Sequence, residues 1–375
     1  MDERRIGASL RIWIPVIAIV AIACASDSVE TNAAGDVILR DVSCNTCSIV
    51  VDSVAFLGHP DDTVALRLGN VPATDSHGNF YVPDATGASV LVFGPDGRLK
   101  TTFGKGGQGP GELERASRVL VGRGDTLYVQ GSSWIYVVSP EHQPVRQFHN
   151  PRPVTGAGGM FAFIGTLLSD DRLLLSSGQN GMVILDHDGT VSPQIELAGL
   201  DSSAAPCSDC IPRGFREAVQ PGSVWSGSHN SYRIEQYDLT GKLLQRFIRI
   251  AEWYPDWDAT QLRRSEDPIS AFGKPRLWGV RQAADGILWT HVMMLEDPDS
   301  FRATWIMQSP TAPQELMGGL TARIEAIDPA RKRLLGGIKL KGIVVPMMGD
   351  LAAHLVFDGE GGWGWKIVRF RMVGR

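Results

Sequence analysis

A short unit of strand, strand and turn recurs along this chain, and it leaves few folds open. Gly78-Asn79-Phe80-Tyr81-Val82 leads into Ser89-Val90-Leu91-Val92-Phe93 and then into the turn Pro95-Asp96-Gly97. The same order restarts at Gly124-Asp125-Thr126-Leu127-Tyr128-Val129, and again at Arg172-Leu173-Leu174-Leu175, Gly222-Ser223-Val224-Trp225 and Gly286-Ile287-Leu288-Trp289. A weakened copy stands at Ala353-His354-Leu355-Val356-Phe357. Each apolar run precedes an alternating strand that ends in a turn such as Asp188-Gly189 or Thr240-Gly241. Glycine there accepts the positive φ that tight hairpins need. The apolar runs are expected to be the inner strand of each unit.

Six such units, roughly 45 to 65 residues apart with no helical pattern of comparable length between them, predict a six-bladed β-propeller. Length alone would suggest two domains for 375 residues, and the repeat overrides that prior. The 42 glycines and 22 prolines follow no collagen period and fit many turns between short strands. The last unit reaches Arg375 after only three strands. Its fourth strand has to come from elsewhere, and Ser48-Ile49-Val50-Val51-Asp52-Ser53-Val54-Ala55-Phe56 has the character to supply it. The expectation is an all-β ring closed by an N-terminal strand, spanning 48–375.

The joint between the first two units reads Gly104-Lys105-Gly106-Gly107-Gln108-Gly109-Pro110-Gly111-Glu112. It matches G-x-G-x-x-G formally, but that motif cradles phosphate only between a strand and a helix, and here another β unit follows. With Asp96-Gly97 and Phe103-Gly104 around it, the segment Gly107-Gln108-Gly109-Pro110-Gly111-Glu112 resembles the G-x-G-P-G-E joint of bacterial exported or lipoprotein six-bladed β-propellers. That is the NHL and TolB-like group. The resemblance covers nearly all of the mature chain. It implies fold rather than substrate.

The N-terminus has Arg4-Arg5, an apolar run from Ile12 to Ala23, and then Cys24-Ala25-Ser26-Asp27. A basic start and an apolar run of about a dozen residues, too short to span a bilayer, read as a signal peptide over 1–23. Ala21-Ile22-Ala23-Cys24 also resembles a bacterial lipoprotein box, which makes Cys24 the lipidated residue and 24–47 a tether and cysteine-bearing lead-in. An ordinary Ala-x-Ala cleavage site is the alternative. The remaining cysteines form two C-x-x-C pairs, Cys44/Cys47 and Cys207/Cys210. In an exported chain disulfides are the default, and chain entropy favours bonds between the pairs over bonds within them. A tetrathiolate zinc site at the four cysteines is the lesser alternative; otherwise no cofactor is expected.

A formal net charge of −5 gives no electrostatic footprint for nucleic acid. Three irregular segments fall between an outer strand and the next inner strand, so all three belong on one rim. They are the glycine joint continuing to Glu114-Arg115, the stretch Pro206 to Arg216, and the insertion from Glu252 to Trp278. Candidate ligand-binding residues are Glu112 and Arg115 in the first, Arg213 and Arg216 in the second, and Trp253 and Trp257 in the third. Aromatic and cationic side chains of this kind are enriched at binding surfaces, although the two tryptophans could instead cap space between blades. His59, His77, His187, His229, His291 and His354 are scattered, and Asp84, Asp186 and Asp238 sit where carboxylates bond local backbone. Two functions stay open. One is a membrane-anchored propeller binding a protein, peptide or glycan; the other is a lactonase-like hydrolase or lyase with a metal at the central channel.

Overall fold

The computed structural model describes residues 29–59, 61–62, 66, 71–84, 88–107, 109, 111–150, 165–177, 181–197, 217–220, 222–228, 231–256, 274–296, 319–357 and 363–375. Two strands, β1 (Val37–Leu39) and β2 (Ser48–Leu57), precede the first repeat. Blade 1 is β3 (Ala73–Thr74), β4 (Phe80–Asp84), β5 (Ser89–Phe93) and β6 (Leu99–Phe103). Blade 2 is β7 (Arg118–Val121), β8 (Leu127–Gln130), β9 (Trp134–Val138) and β10 (Pro144–His149). Blade 3 is β11 (Gly165–Leu167), β12 (Leu173–Ser177), β13 (Gly181–Leu185) and β14 (Ile195–Glu196). Blade 4 is β15 (Glu217–Gln220), β16 (Ser223–Gly227), β17 (Arg233–Asp238) and β18 (Leu243–Arg249). Blade 5 is β19 (Arg276–Gln282), β20 (Leu288–Leu295), β21 (Leu320–Asp328) and β22 (Arg333–Lys341). The last repeat supplies β23 (Val344–Pro346), β24 (Leu351–Phe357) and β25 (Trp363–Val373). Within each blade the strands pair antiparallel in chain order.

Blade 6 closes as the sequence led us to expect. Its order is β2-β25-β24-β23, with β2 antiparallel to β25 from Ser48 opposite Val373 to Leu57 opposite Trp365. The first strand of each blade lies beside the first strand of the next from blade 1 through blade 6, which makes these six the innermost ring. The apolar runs taken as inner strands are therefore the second strands, one place further out. The reason is burial. A second strand is covered on both faces, so successive side chains go to opposite seams and most positions are apolar. In β12, Leu173 and Leu175 pack with blade 2 side chains such as Ile135 and Val137, while Leu174 packs with Val224 and Tyr237 of blade 4. Trp225 and Leu288 share the seam between blades 4 and 5, and Trp289 and Phe370 share the next. The innermost strands sit where the faces converge, and their short, mixed sequences give no comparable signal.

Outer strands are held by close approach of turns. A Cβ on Gly97 would lie 2.1 Å from the Phe56 carbonyl oxygen of β2, and one on Gly241 would lie 2.0 Å from that of Glu196 in β14. Both glycines also have φ near +80 to +90° (80 and 88°), where other residues are strained. Blade 2 places His142 at the corresponding turn position, with φ 63°, and its ring stacks on Phe103 of blade 1 at 4.7 Å.

The later part of the lead-in, from Val37 onward, is docked onto the ring. Strand β1 pairs parallel with β18 and makes blade 4 five-stranded. Buried Arg249 fixes this addition by donating through Nη1 to the carbonyls of Leu39 and Arg40, while Nε and Nη2 each reach Glu325 of blade 5 at 3.1 Å. The chain then passes blade 5, where the Ser43 N–H donates to the Leu334 carbonyl at 2.9 Å. Thr46 Oγ1 donates to the carbonyl of Gly374 at 2.9 Å, next to the C-terminus. A strap thus runs over three blades before entering β2.

Candidate functional site

The strand order gives the ring two unlike rims. On one, which we term the turn rim, short hairpins join first to second and third to fourth strands. On the other, the loop rim, second strands meet third strands and each outer strand crosses to the next blade.

Carboxylates latch neighbouring blades on the turn rim. Asp125, at the positive-φ position of the β7–β8 turn, accepts from the Ser76 N–H at 2.8 Å and from Ser76 Oγ at 2.6 Å. These bonds pull its carboxyl below the usual range. Asp171 does the same one blade on, accepting from the Arg123 N–H at 2.9 Å. Asp285 pairs with the Arg375 guanidinium at 2.6 Å. Asp238 accepts from Thr240 N–H and Oγ1 and from the Lys242 N–H, which is the local backbone role expected of it.

The glycine joint lies on the loop rim and is folded on itself. Glu112 turns back into it, accepting from the Gly109 N–H at 2.8 Å and pairing with Lys105 Nζ at 2.9 Å. A Cβ on Gly107 would sit 1.9 Å from Glu112 Oε2, so the carboxylate occupies space that only glycine leaves. Glu112 therefore shapes the loop. Glu114 reaches the β8–β9 turn, accepting from Ser133 N–H at 2.8 Å and Oγ at 3.1 Å, while Arg115 is exposed beside it.

Trp253, of the third irregular segment, stands at the seam between blades 4 and 5. Its ring meets Tyr232 at 5.7 Å and Tyr254 at 5.8 Å, both edge-on, and the Arg323 guanidinium lies over it at 4.2 Å from the centroid. Tyr254 Oη accepts from the Leu277 N–H at 3.0 Å, and Tyr232 Oη pairs with Thr290 Oγ1 at 2.5 Å. Burial pushes the Tyr232 hydroxyl far above its ordinary pKa and that of Tyr254 upward as well, so both stay neutral. The tryptophan thus caps the seam and holds a cation at once. Sequence reading missed Arg323, Glu325 and Arg249. No pattern marks the first two, since Arg323 and Glu325 alternate with Ala322 and Ile324 as on a half-exposed strand.

Cys44 and Cys47 are joined to each other, with Cα atoms 5.3 Å apart. Bonds between the pairs were the entropic expectation; for this pair, a separation inside the disulfide range decides otherwise. Cys24, Cys207, Cys210, Arg213, Arg216 and Trp257 lie outside the described residues. Among the described residues no three histidine, cysteine, aspartate or glutamate side chains converge as metal ligands. His291 lies mid-strand in β20. It is fully buried against Phe370, and burial, reinforced by the charge of Arg281, lowers its pKa to about 3.

Comparison with known proteins places this geometry. A member of the DUF4221 family from Bacteroides vulgatus is 11% identical with a TM-score of 0.58, over 88% of this chain and 99% of that one. A protein of Bacteroides fragilis described as exported is 9% identical with a TM-score of 0.53, over 90% and 99%. The chain shares their fold. Identities this low establish architecture alone, and at that level the resemblance read from the glycine joint holds. No family model matches the chain, and no curated protein does.

Proposed function

We propose that this chain is an extracytoplasmic propeller, anchored to a membrane through Cys24, that binds a protein, peptide or glycan on its loop rim. The observation that carries the reading is the one-sided distribution of long connections. Crossings from Phe103 to Arg118, His149 to Gly165, Glu196 to Glu217 and Arg249 to Arg276 all belong to the loop rim, as does the Leu295 to Leu320 connection. The turn rim spends its polar groups on latching blades together. Binding residues concentrate on variable loops held by a rigid scaffold. The leader-like N-terminus and the exported description of the Bacteroides fragilis protein support the location.

The test is a screen of the purified domain against envelope proteins and glycans, with each hit repeated on Arg115→Glu from the loop rim and His77→Ala from the turn rim. Binding is expected to fall in the first and hold in the second. Protection from hydrogen exchange confined to the turn rim would refute the reading. Anchoring is tested separately by Cys24→Ala, which should move the protein from the membrane to the soluble fraction.

A further inference from the structure

Among the described residues, the seam between blades 4 and 5 sets two guanidinium groups, those of Arg249 and Arg323, against the carboxylate of Glu325. Glu325 is 2% exposed and uses both carboxylate oxygens on Arg249, at 3.1 Å each. Arg323, two residues before it on β21, comes only within 4.0 Å of Glu325 Oε1. Its Nε is buried with no hydrogen-bond partner, and among the described residues the guanidinium makes no hydrogen bond. One carboxylate therefore faces two guanidinium groups. A buried or half-buried cation without a full counter-charge is costly to keep.

The placement of that cation is organised rather than loose. Its side chain is 26% exposed and its guanidinium carbon lies 4.2 Å from the centroid of the Trp253 ring, which Tyr232 and Tyr254 meet in T-shaped contacts. A guanidinium over an aromatic ring is held through its π face, and with Nε buried only the Nη N–H groups remain for a ligand. Two Nη N–H groups of the planar fork can meet a carboxylate in two parallel bonds. The indole face under Arg323 is not open to a sugar ring, so charge rather than stacking governs what fits.

We propose that Arg323, laid over Trp253, is the receptor for a carboxylate on an acidic peptide, a specificity that rests on the loop-rim binding reading. Against a chain of net charge −5, this is a local positive point that an acidic partner finds only at short range. The carboxylate supplies Arg323 with a counter-charge that Glu325, engaged by Arg249, does not fully give. Arg249 and Glu325 hold the strap and the seam behind it.

The experiment titrates the full folded chain by calorimetry with acetyl-Gly-Glu-Glu-Gly-amide, its Gln-Gln counterpart and hexagalacturonate. The Glu peptide should bind and the Gln peptide should not. Arg323→Met should weaken the Glu peptide about tenfold or more, and Arg323→Lys, which keeps charge but loses the fork, should weaken it less. If the Met variant does not fold, the Lys variant alone decides, since it should still weaken binding severalfold. Absence of Glu-peptide binding, equal binding to the wild type and both variants, or binding of hexagalacturonate alone overturns the proposal. Peptide binding that ignores Arg323 but is lost in Arg115→Glu overturns this site and leaves the loop-rim reading standing; binding mapped to the turn rim overturns both.

Discussion

The two rims of this propeller are built from the same strands and differ in what their polar groups face. On the turn rim, Asp125 and Asp171 point at the turn of the preceding blade, and Gly97 and Gly241 let the preceding outer strand approach within contact of the backbone. On the loop rim, the glycine joint satisfies itself through Glu112, and exposed Arg115 keeps donors that no described group fills. A ring of blades has to be tied together somewhere. Tying it on one side leaves the other free to vary, and the contrast gives three measurements an order.

The largest effect should come from the turn rim's backbone contact. Gly97→Ala puts a Cβ 2.1 Å from the Phe56 carbonyl at a φ of 80°, so β2 has to move away from blade 1. We expect a loss of about 3 kcal/mol in urea unfolding, from strain and displaced packing together. Gly106→Ala on the loop rim meets nothing nearer than the Ala88 Cβ at 3.7 Å and has no such φ. It should stay within about 0.5 kcal/mol of wild type. Equal costs at the two sites would end the argument that the rims differ in rigidity.

Much of this was legible in the sequence, for identifiable reasons. Second strands such as Leu173-Leu174-Leu175 announce themselves because both faces are buried, and the ring closure was legible because the last repeat lacked a strand. The innermost strands were not legible: Ala73-Thr74 has two residues and no period. Nor was β1, since Val37-Ile38-Leu39 is three apolar residues after a polar stretch, and only the edge of β18 makes them a strand. The seam site was hidden for a different reason. Arg323 and Glu325 alternate with Ala322 and Ile324 as on a half-exposed strand, and only the arrival of blade 4 and Trp253 shows that their face is covered.

Between the rims lie the seams, and acid separates their contribution from that of the turn-rim latches. His291 has a pKa of about 3 when folded, against 6.5 for the free side chain. Its folded value is depressed, so the unfolded chain binds the proton first, and stability falls as pH drops from about 6.5 toward 3 at about 1.4 kcal/mol per unit. Asp125 has a lowered carboxyl pKa, so its contribution is complete above 3.8 and is lost only as pH falls below that value. Wild type should therefore lose about 2 kcal/mol more than His291→Leu between pH 7 and pH 5. If the two lose the same, the buried histidine is not what limits the fold in weak acid.

The smallest effects compare one polar group from each rim. Asp125→Gly keeps the positive φ of 58° without strain and removes the acceptor for Ser76 together with the contact to the His77 ring at 3.6 Å. Losing two hydrogen bonds to a half-buried carboxylate should cost about 1 kcal/mol, and Ser76→Ala should cost less, since the Ser76 N–H remains. Arg115→Ala, by contrast, removes an exposed guanidinium that pairs with nothing among the described residues, so its thermal midpoint should match wild type within about a degree. A side chain retained at no gain to the fold is the kind a binding surface uses, so a clear destabilisation by Arg115→Ala would remove Arg115 from the candidate site. An unchanged midpoint together with weakened capture of an envelope ligand would place the cost of that residue in recognition, where the asymmetry of the rims puts it.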